Sequence, residues 1–399
     1  MLRGARVSLD ANTAIPADLE IVSGRIRRVL DPQRSGPSFG PHESYCEIDL
    51  RGCLLLPGLI NAHDHLEFNL FPKLGKGPYP NATEWAQDIY HPNESPAREH
   101  RAVPKGVRLT WGGIKNLVTG ATTVCHHNEY LPDVFDHAFP IRVIRRYALS
   151  HSLLHGADAD AAFLESDSDV PFILHLGEGT DDESRAELYE LDRRGLLSHR
   201  TVIVHGVALQ EKEQSLVVER SAGVIWCPGS NLYTLGTTLA AQFVQGYERV
   251  ALGSDSALTS DDLLAQIRLA YAMGIPANVI FEMVTTRSAK VLNLNGGEGR
   301  LSEGSVADLL VIPDRAVSPA QALVWMSPED IDVVFLEGQV NSVSDRCAPR
   351  LHDDLMEGLQ RFRFSGTVRN VRAPIQEILT ETKKHLGDAI ELAGWKVAA

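Results

Sequence analysis

The stretch that decides the fold is residues 53–68, which read Cys53-Leu-Leu-Leu-Pro-Gly-Leu-Ile-Asn-Ala-His-Asp-His-Leu-Glu-Phe68. Its apolar half predicts a short buried strand. The run ends in His63 and His65, and residues i and i+2 of an extended chain project from the same face. Two neutral imidazoles fixed in this way suit a divalent metal such as zinc or iron. A single His-x-His pair is weak evidence, so the prediction of a metal site depends on the sequence downstream.

The same pattern, an apolar run followed by a side chain that can bind metal, recurs along the chain. Three further runs end in His175, His205 and Asp255. Stretches of helical periodicity separate most of these runs, and strands that alternate with helices indicate parallel βαβ units. Functional side chains at the carboxyl ends of several such strands are typical of a (β/α) barrel active site.

The composition argues against several classes of function. The chain has 399 residues, 44% of them apolar, which is ample for the core of a large α/β barrel. The net charge of −14 argues against a nucleic acid or an anionic membrane as partner. Five scattered cysteines without a Cys-x-x-Cys pair indicate thiols in a reducing cytosol. The chain begins without a signal-peptide core and lacks a membrane-spanning apolar run, so we expect a cytoplasmic location.

Six motifs occur in a fixed order and resemble those of one family. They are Pro57-Gly-Leu-Ile-Asn-Ala-His-Asp-His65, Gly120-Ala-Thr-Thr-Val124, His175-Leu-Gly-Glu178, Val204-His205-Gly206, Cys227-Pro-Gly-Ser-Asn231 and Gly253-Ser-Asp255. Together they resemble the amidohydrolase superfamily, most closely its branch of metal-dependent deaminases and chlorohydrolases that act on N-heterocycles. The resemblance spans roughly residues 1–345.

The resemblance implies an α/β fold built on a (β/α)8 TIM barrel at residues 57–303. It also implies that residues 1–56 and 304–345 fold together as a small composite β-sandwich. The alternative is that these two parts form unrelated edge hairpins. Residues 346–399 are expected to form a C-terminal helical tail, with a polar helix at about 375–393.

Residues 130–170 depart from the family pattern. Residues 141–149 predict the third barrel strand, but only about twenty residues separate it from the strand that ends at His175. The fourth strand is therefore expected to be short, displaced or missing, with His151 or His155 near its end. Because no lysine stands at the end of a fourth strand, the binuclear site of some relatives is unsupported, and one metal ion per chain is expected.

Within this resemblance, His63, His65, His175 and Asp255 are the metal ligands. The expected cofactor is one divalent ion, with zinc as the first choice and iron or manganese as alternatives. In favourable zinc sites a bound ion lowers the pKa of its water to about 7, which gives hydroxide at neutral pH. Asp255 can accept the water proton, and His205 can position the water or take a proton.

Glu178 follows the ligand His175 by three residues and lies just beyond the predicted strand. Hydrolysis of an amidine-like C–N bond needs a proton on the ring nitrogen and later one on the leaving amine, and one carboxyl can deliver both. The alternative is a surface glutamate in an acidic loop. We assign catalytic roles to Glu178, His205 and Asp255.

The connection over residues 66–105 is far longer than a usual βα loop and carries several aromatic side chains. Because disordered segments are poor in aromatic residues, we interpret it as a substrate-covering loop that includes Trp85. An ordinary packing or dimer loop is the alternative. The further candidates for substrate contact are His126, Asn128 and Asn231.

These features predict a metal-dependent hydrolase, and first a hydrolytic deaminase that releases ammonia from an aminated N-heterocycle. The alternative is a hydrolase of a related bond, with chloride, an alkylamine or an amide as leaving group. A catalytically inactive barrel that serves as a binding or scaffold protein is a third class, against which the intact series of site residues argues. The expected partners are a small-molecule substrate and a second copy of the chain in a homodimer.

Overall fold

The computed structural model describes residues 1–32, 46–153 and 158–398. The N-terminal part forms strands β1 (Leu2–Ser8), β2 (Ala14–Val22), β3 (Arg25–Leu30), β4 (Ile48–Asp49) and β5 (Cys53–Pro57). The middle part contains β6 (Leu59–Asp64), β7 (Ala121–His126), β8 (Arg142–Val143), β9 (Ala148–Leu149), β10 (Phe172–Leu176), β11 (Thr201–His205), β12 (Gly223–Trp226) and β13 (Val250–Leu252). The C-terminal part contains β14 (Leu309–Pro313), β15 (Val333–Leu336), β16 (Gln339–Ser344), β17 (Gln360–Phe364), β18 (Thr367–Val371), β19 (Ile390–Leu392) and β20 (Trp395–Ala398).

Helices alternate with the strands of the middle part and continue into the C-terminal part. They are α1 (Ala82–Ile89), α2 (Ala97–Ala102), α3 (Lys105–Val118), α4 (Ala159–Glu165), α5 (Asp182–Arg193), α6 (Glu211–Glu219), α7 (Pro228–Leu235), α8 (Ala241–Gly246), α9 (Leu263–Ala272), α10 (Ala277–Met283), α11 (Thr286–Val291), α12 (Pro319–Val324), α13 (Asp353–Met356) and α14 (Ile375–Leu386). Short 3-10 helices lie at Leu66–Phe68, Pro328–Asp330 and Ala348–Arg350. In the described part of the chain, no helix is long and apolar enough to cross a membrane.

The middle strands pair in parallel with their neighbours in sequence. Strands β6, β7 and β8 form one sheet, and strands β9 to β13 form another. Alternate residues of most of these strands meet in one central apolar cluster, which includes Ile60, Ala62, Cys125, Ile173, Val202, Val204, Ile225 and Ala251. Within each sheet, parallel pairing gives the strands a common direction, so that their carboxyl ends lie at the same edge.

The region predicted as a single third strand, residues 141–149, is divided into two strands in the structure. The first, β8, pairs with β7, and the second, β9, pairs with β10. The predicted third strand was therefore too long, and its last two residues belong to the next position in strand order. Each of these strands is only two residues long.

The two ends of the chain pair with each other. Strand β5 runs parallel to β1 and antiparallel to β14, which joins the N-terminal and C-terminal strands in one sheet. The segment predicted as a helical tail contains α14 in the expected place, but it also contains strands β17 to β20, which the sequence analysis did not predict. These strands extend the same sheet beyond β16.

Candidate active site

Three parallel strands bring the predicted metal ligands to one rim. His63 lies in β6 and His65 directly follows it, while His175 lies in β10 and Asp255 follows β13. All four side chains are buried. The carboxyl ends of parallel strands meet at the same face of a barrel-type fold, which is why residues so far apart in the chain converge here.

The ligand atoms face one another at short range. Nε2 of His175 lies 3.3 Å from Nε2 of His63. Oδ1 of Asp255 lies 3.7 Å from Nε2 of His63 and 3.7 Å from Nε2 of His65. Two ring nitrogens that face each other so closely cannot both carry a proton, so at least one lone pair points into the space between them. Three imidazoles and one carboxylate around that space fit a divalent ion such as zinc.

Burial keeps His63 and His175 in the neutral form that binds metal. It lowers the pKa of His63 to about 4 and the pKa of His175 well below its usual value. A buried imidazolium loses its hydration, which disfavours the charged form. Burial alone would raise the pKa of Asp255, but the imidazoles around it, His63 first, hold that pKa well below its usual range. The chain therefore offers neutral nitrogens and an ionised carboxylate at neutral pH.

The Asp255 carboxylate is fixed by hydrogen bonds to both of its oxygens. Ser230 Oγ donates to Oδ2 at 2.6 Å, and the backbone N–H of Ser256 donates to Oδ1 at 2.7 Å. Asp255 has φ of +58°, and His205, at the end of its own strand, has φ of +71°. Residues other than glycine rarely adopt this conformation, and such strain concentrates at functional sites.

His205 is held in one orientation by Asn231. The Oδ1 of Asn231 lies 2.8 Å from Nδ1 of His205 and can only accept, so that Nδ1 carries the proton. The other nitrogen, Nε2, therefore directs its lone pair into the site, 3.6 Å from Glu178 Oε1 and 3.9 Å from Asp255 Oδ2. Asn231 was predicted to contact substrate. The structure instead buries it, with its Nδ2 donating to Thr238 Oγ1 at 2.9 Å, so it orients His205.

Glu178 lines the same cleft, and only 16% of its side chain is exposed. Burial raises the pKa of Glu178 to about 7, and the nearby carboxylates of Asp255 and Glu187 act in the same direction, while His205 opposes them. A carboxyl with this pKa exchanges its proton readily at neutral pH, as a general acid and base must.

A cleft of about 1730 Å³ opens above these residues. Of the residues predicted to contact substrate, Trp85 and Asn128 line it. Trp85 donates its Nε1 proton to the Leu74 carbonyl at 3.1 Å, which fixes the indole against its own loop. His151 also lines the cleft, with its ring centroid 4.8 Å from that of His175. His155 lies outside the described residues.

His126 was also predicted to contact substrate, but it lies outside the cleft lining. It is buried at the end of β7, where its Nδ1 is 3.3 Å from the backbone N–H of Leu66, which donates to it. Its neighbour His127 is on the opposite side and stacks on the ring of His175, with centroids 4.1 Å apart. Cys125 belongs to the central cluster, so alternation along β7 places His127 on the same inward face. His127 does not line the cleft either, and a substrate contact by His126 has no support from the cleft lining.

The sequence analysis missed a buried polar network beneath the ligands. Asp64, between the two ligand histidines of β6, receives a hydrogen bond from Lys115 Nζ at 2.6 Å and one from Asn116 at 2.7 Å. Lys115 also reaches Ser254 Oγ at 3.3 Å, and Ser254 directly precedes the ligand Asp255. Both side chains of the Lys115–Asp64 pair are fully buried. A lysine in an amphipathic helix gives no sequence signal of such a role.

Comparisons with known proteins agree with this geometry. A model of the amidohydrolase family matches residues 155–341. The chain is 25% identical to a 5-methylthioadenosine/S-adenosylhomocysteine deaminase of Syntrophobacter fumaroxidans over 413 aligned positions, covering 86% of this chain and 92% of that protein. It is 24% identical to a 5'-deoxyadenosine deaminase of Methanothermobacter thermautotrophicus, covering 76% of this chain and 85% of that protein.

Solved structures share the fold at low sequence identity. An adenosine deaminase from Xanthomonas campestris with bound zinc superposes with a TM-score of 0.68 at 19% identity, covering 96% of each chain. The zinc complex of an atrazine chlorohydrolase from Arthrobacter aurescens gives a TM-score of 0.69 at 19% identity, covering 96% of this chain and 99% of the other.

A TIM-barrel type α/β fold with histidine and aspartate donors at its strand ends defines a metal-dependent hydrolase. The comparisons support the predicted resemblance to the amidohydrolase superfamily, in the branch that contains deaminases and chlorohydrolases.

Proposed function

We propose that this protein is a hydrolytic deaminase that replaces the amino group of an N-heterocycle with oxygen and releases ammonia. The observation that carries the proposal is the position of Glu178, a partly buried carboxyl with a pKa of about 7 beside the His/Asp donor set. The deaminases among the relatives support the same reaction class.

His63, His65, His175 and Asp255 would hold the ion, which when bound makes a coordinated water more acidic. His205 presents an unprotonated Nε2 to this space and can hold the water by accepting a hydrogen bond from it. As the water oxygen bonds to the carbon that carries the amine, its proton passes to Glu178, and Glu178 protonates the ring nitrogen. The proton that remains on the added oxygen then passes to the amine, which allows the C–N bond to break, so that water and amine become carbonyl and ammonia.

The finer structural points are part of this proposal. Strands β6 to β13 would form a closed barrel of eight strands with β9 as the short fourth strand, and the paired chain ends would form a composite β-sandwich. The boundaries would be those predicted, at residues 1–56, 57–303, 304–345 and 346–399. Zinc is proposed as the ion because similar folds were solved with bound zinc. The homodimer and the cytoplasmic location stay predictions from the sequence.

A second candidate function is hydrolysis with another leaving group, such as chloride or an alkylamine. The likeness in fold to an atrazine chlorohydrolase favours it, and the same donor set serves both reactions. The metal ligands do not distinguish the two leaving groups, because the ion acts on the attacking water in both.

The test is a substrate screen with zinc-loaded protein across aminopurines and their nucleosides, pterins, pyrimidines and triazines. The proposal predicts ammonia in amounts equal to the hydroxylated product. Release of chloride or alkylamine without ammonia would favour the second candidate. The Glu178→Gln variant, assayed beside the wild type, separates enzymatic ammonia from contamination.

A further inference from the structure

The long loop over residues 66–105 is joined to the loop that carries Glu178. The backbone N–H of Ala82 donates to the carbonyl of Glu178 at 2.9 Å, and the N–H of Thr180 donates to the carbonyl of Pro80 at 2.7 Å. Asn81 and Gly179 pair between these bonds as an antiparallel bridge. The start of α1 therefore rests on the backbone of Glu178 itself.

The side chain of Asn81 connects the starts of two helices. Its Oδ1 accepts from the N–H of Glu84 at 3.0 Å and caps α1. Its Nδ2 donates to Oδ2 of Asp181 at 2.6 Å. Asp181 in turn caps α5, because its Oδ1 accepts from the N–H of Ser184 at 2.8 Å. One hydrogen bond to a charged acceptor thus links the caps of α1 and α5.

The contact is close enough to require glycine at position 179. A Cβ atom there would lie 2.9 Å from Cβ of Asn81 and 2.0 Å from Oγ of Ser184. Both distances are below normal contact. The segment of Asn81 also carries Trp85, which lines the cleft. Residues 79–90, which cover the cleft, therefore pack directly against the backbone of Glu178.

We propose that Asn81 is a positioning residue for Glu178: the hydrogen bond from Asn81 to Asp181 holds residues 79–90 on residues 177–181, so that the cleft cover and the catalytic carboxyl take their places together. The role of Glu178 in this inference rests on the proposed function. The docking of the two segments does not.

The test exchanges the donor and the acceptor of this hydrogen bond. Aspartate caps a helix as well as asparagine does, so Asn81→Asp keeps the cap of α1 and places a carboxylate against Asp181. Asp181→Asn keeps the cap of α5 in the same way. The double variant restores a hydrogen bond with reversed roles. Lys73→Met is the matched control, because it removes an ion pair of the same loop with Asp261, away from Glu178.

Amide hydrogen exchange of the zinc-loaded protein is measured for the peptides that cover 79–90 and 177–181. Asn81→Asp should increase exchange in both segments by about tenfold or more, with unchanged zinc affinity and a melting temperature close to that of the wild type. The double variant should return both segments to within about threefold of the wild type. With a substrate from the screen, kcat of Asn81→Asp should fall more than KM rises, and the double variant should recover it.

Wild-type exchange at 177–181 in Asn81→Asp, or no rescue by the double variant, would overturn the inference. If Lys73→Met increases exchange in both segments as much as Asn81→Asp does, the effect comes from general loosening of the loop. That result would also overturn the inference. If no compound in the screen is hydrolysed, the proposed function fails, while the exchange data still decide whether Asn81 controls the backbone of Glu178.

Discussion

Asp255 is buried and Glu178 is partly buried in the same site, yet the pKa values of the two carboxyl groups move in opposite directions. Burial acts on both in the same sense, raising the pKa. Asp255 lies against the imidazoles and accepts hydrogen bonds from Ser230 and Ser256, so it stays ionised. Glu178 has only His205 as a favourable neighbour and keeps a pKa of about 7. In the proposed mechanism, this divergence separates Asp255 as a permanent ligand from Glu178 as a proton carrier.

Replacement of Glu178 by glutamine tests that assignment. Glutamine keeps the size and polarity of the side chain but cannot transfer a proton. Turnover should fall by about 10²- to 10⁴-fold while the metal content stays at the wild-type level. Steady-state kinetics and metal analysis of both proteins make the comparison. An unchanged rate would show that Glu178 does not transfer a proton in the reaction.

The same variant should be more stable than the wild type in the absence of metal. Glu178 has a pKa of about 7 in the folded chain against 4.5 as its ordinary value. Between these values the folded state binds more protons than the unfolded state, so the free energy of unfolding falls as pH rises. Glutamine does not titrate, so Glu178→Gln should exceed the wild type by up to about 3 kcal/mol above pH 7 and match it below pH 4.5.

Urea unfolding of the chelator-treated proteins between pH 4 and pH 8 measures this difference. A difference in the free energy of unfolding that does not change with pH would contradict the raised pKa of Glu178.

Individual residues of the site differ in how far the sequence could predict them. The proposed ligands and Glu178 follow apolar runs, and that pattern, with the family motifs, selected side chains that the structure brings close together. Their roles as ligands and proton carrier stay predictions. Asn231 was selected from a motif, but the role of its amide depends on His205 and Thr238, which only the folded chain brings close. No local signal distinguishes an amide that orients a catalytic residue from one that binds substrate.

At the scale of elements, an irregularity in β6 directs the ligands into the site. Ile60 and Ala62 point into the central cluster, and regular alternation would turn His63 away from it. The pairing of β6 with β7 shifts register between Asn61 and Asp64, which changes the face that each later residue occupies. His63 and His65 therefore face the site, and Asp64 faces Lys115 of α3.

The Lys115–Asp64 pair should contribute to stability through the cost of breaking it. Lys115→Met leaves the Asp64 carboxylate buried without its cation, and we expect a loss of about 3–5 kcal/mol in the free energy of unfolding. Adding Asp64→Asn removes the unpaired charge and should recover much of the loss. Urea unfolding of the single and double variants measures both effects. A single variant as stable as the wild type would show that the pair is exposed or unformed.

Element boundaries were the least predictable part of the fold. Residues 141–149 are rich in strand-forming residues, but β8 and β9 pair with different neighbours, and only tertiary pairing divides the run. Strands β17 to β20 of the tail were missed because the helical period of α14 dominated the interpretation of that segment. Their pairing partner β16 lies in a distant part of the sequence.

At the scale of the molecule, segments that are distant in the sequence contact one another close to the site. Strand β5 joins the sheet of the chain ends directly to β6, which carries the first ligands. The tail reaches the same region, since the N–H of Ala393 donates to the carbonyl of Asn69 at 2.9 Å and Trp395 donates to Asp262 at 2.8 Å. The family motifs predicted the general architecture, whereas these contacts between distant segments have no counterpart in the local sequence.

The most direct test is anomalous diffraction at the zinc edge from crystals of zinc-loaded protein. The account predicts one strong peak per chain, about 2.0–2.3 Å from a nitrogen of His63, His65 and His175 and from an oxygen of Asp255. A peak held by other residues, or fully active crystals without a peak at any transition-metal edge, would contradict it.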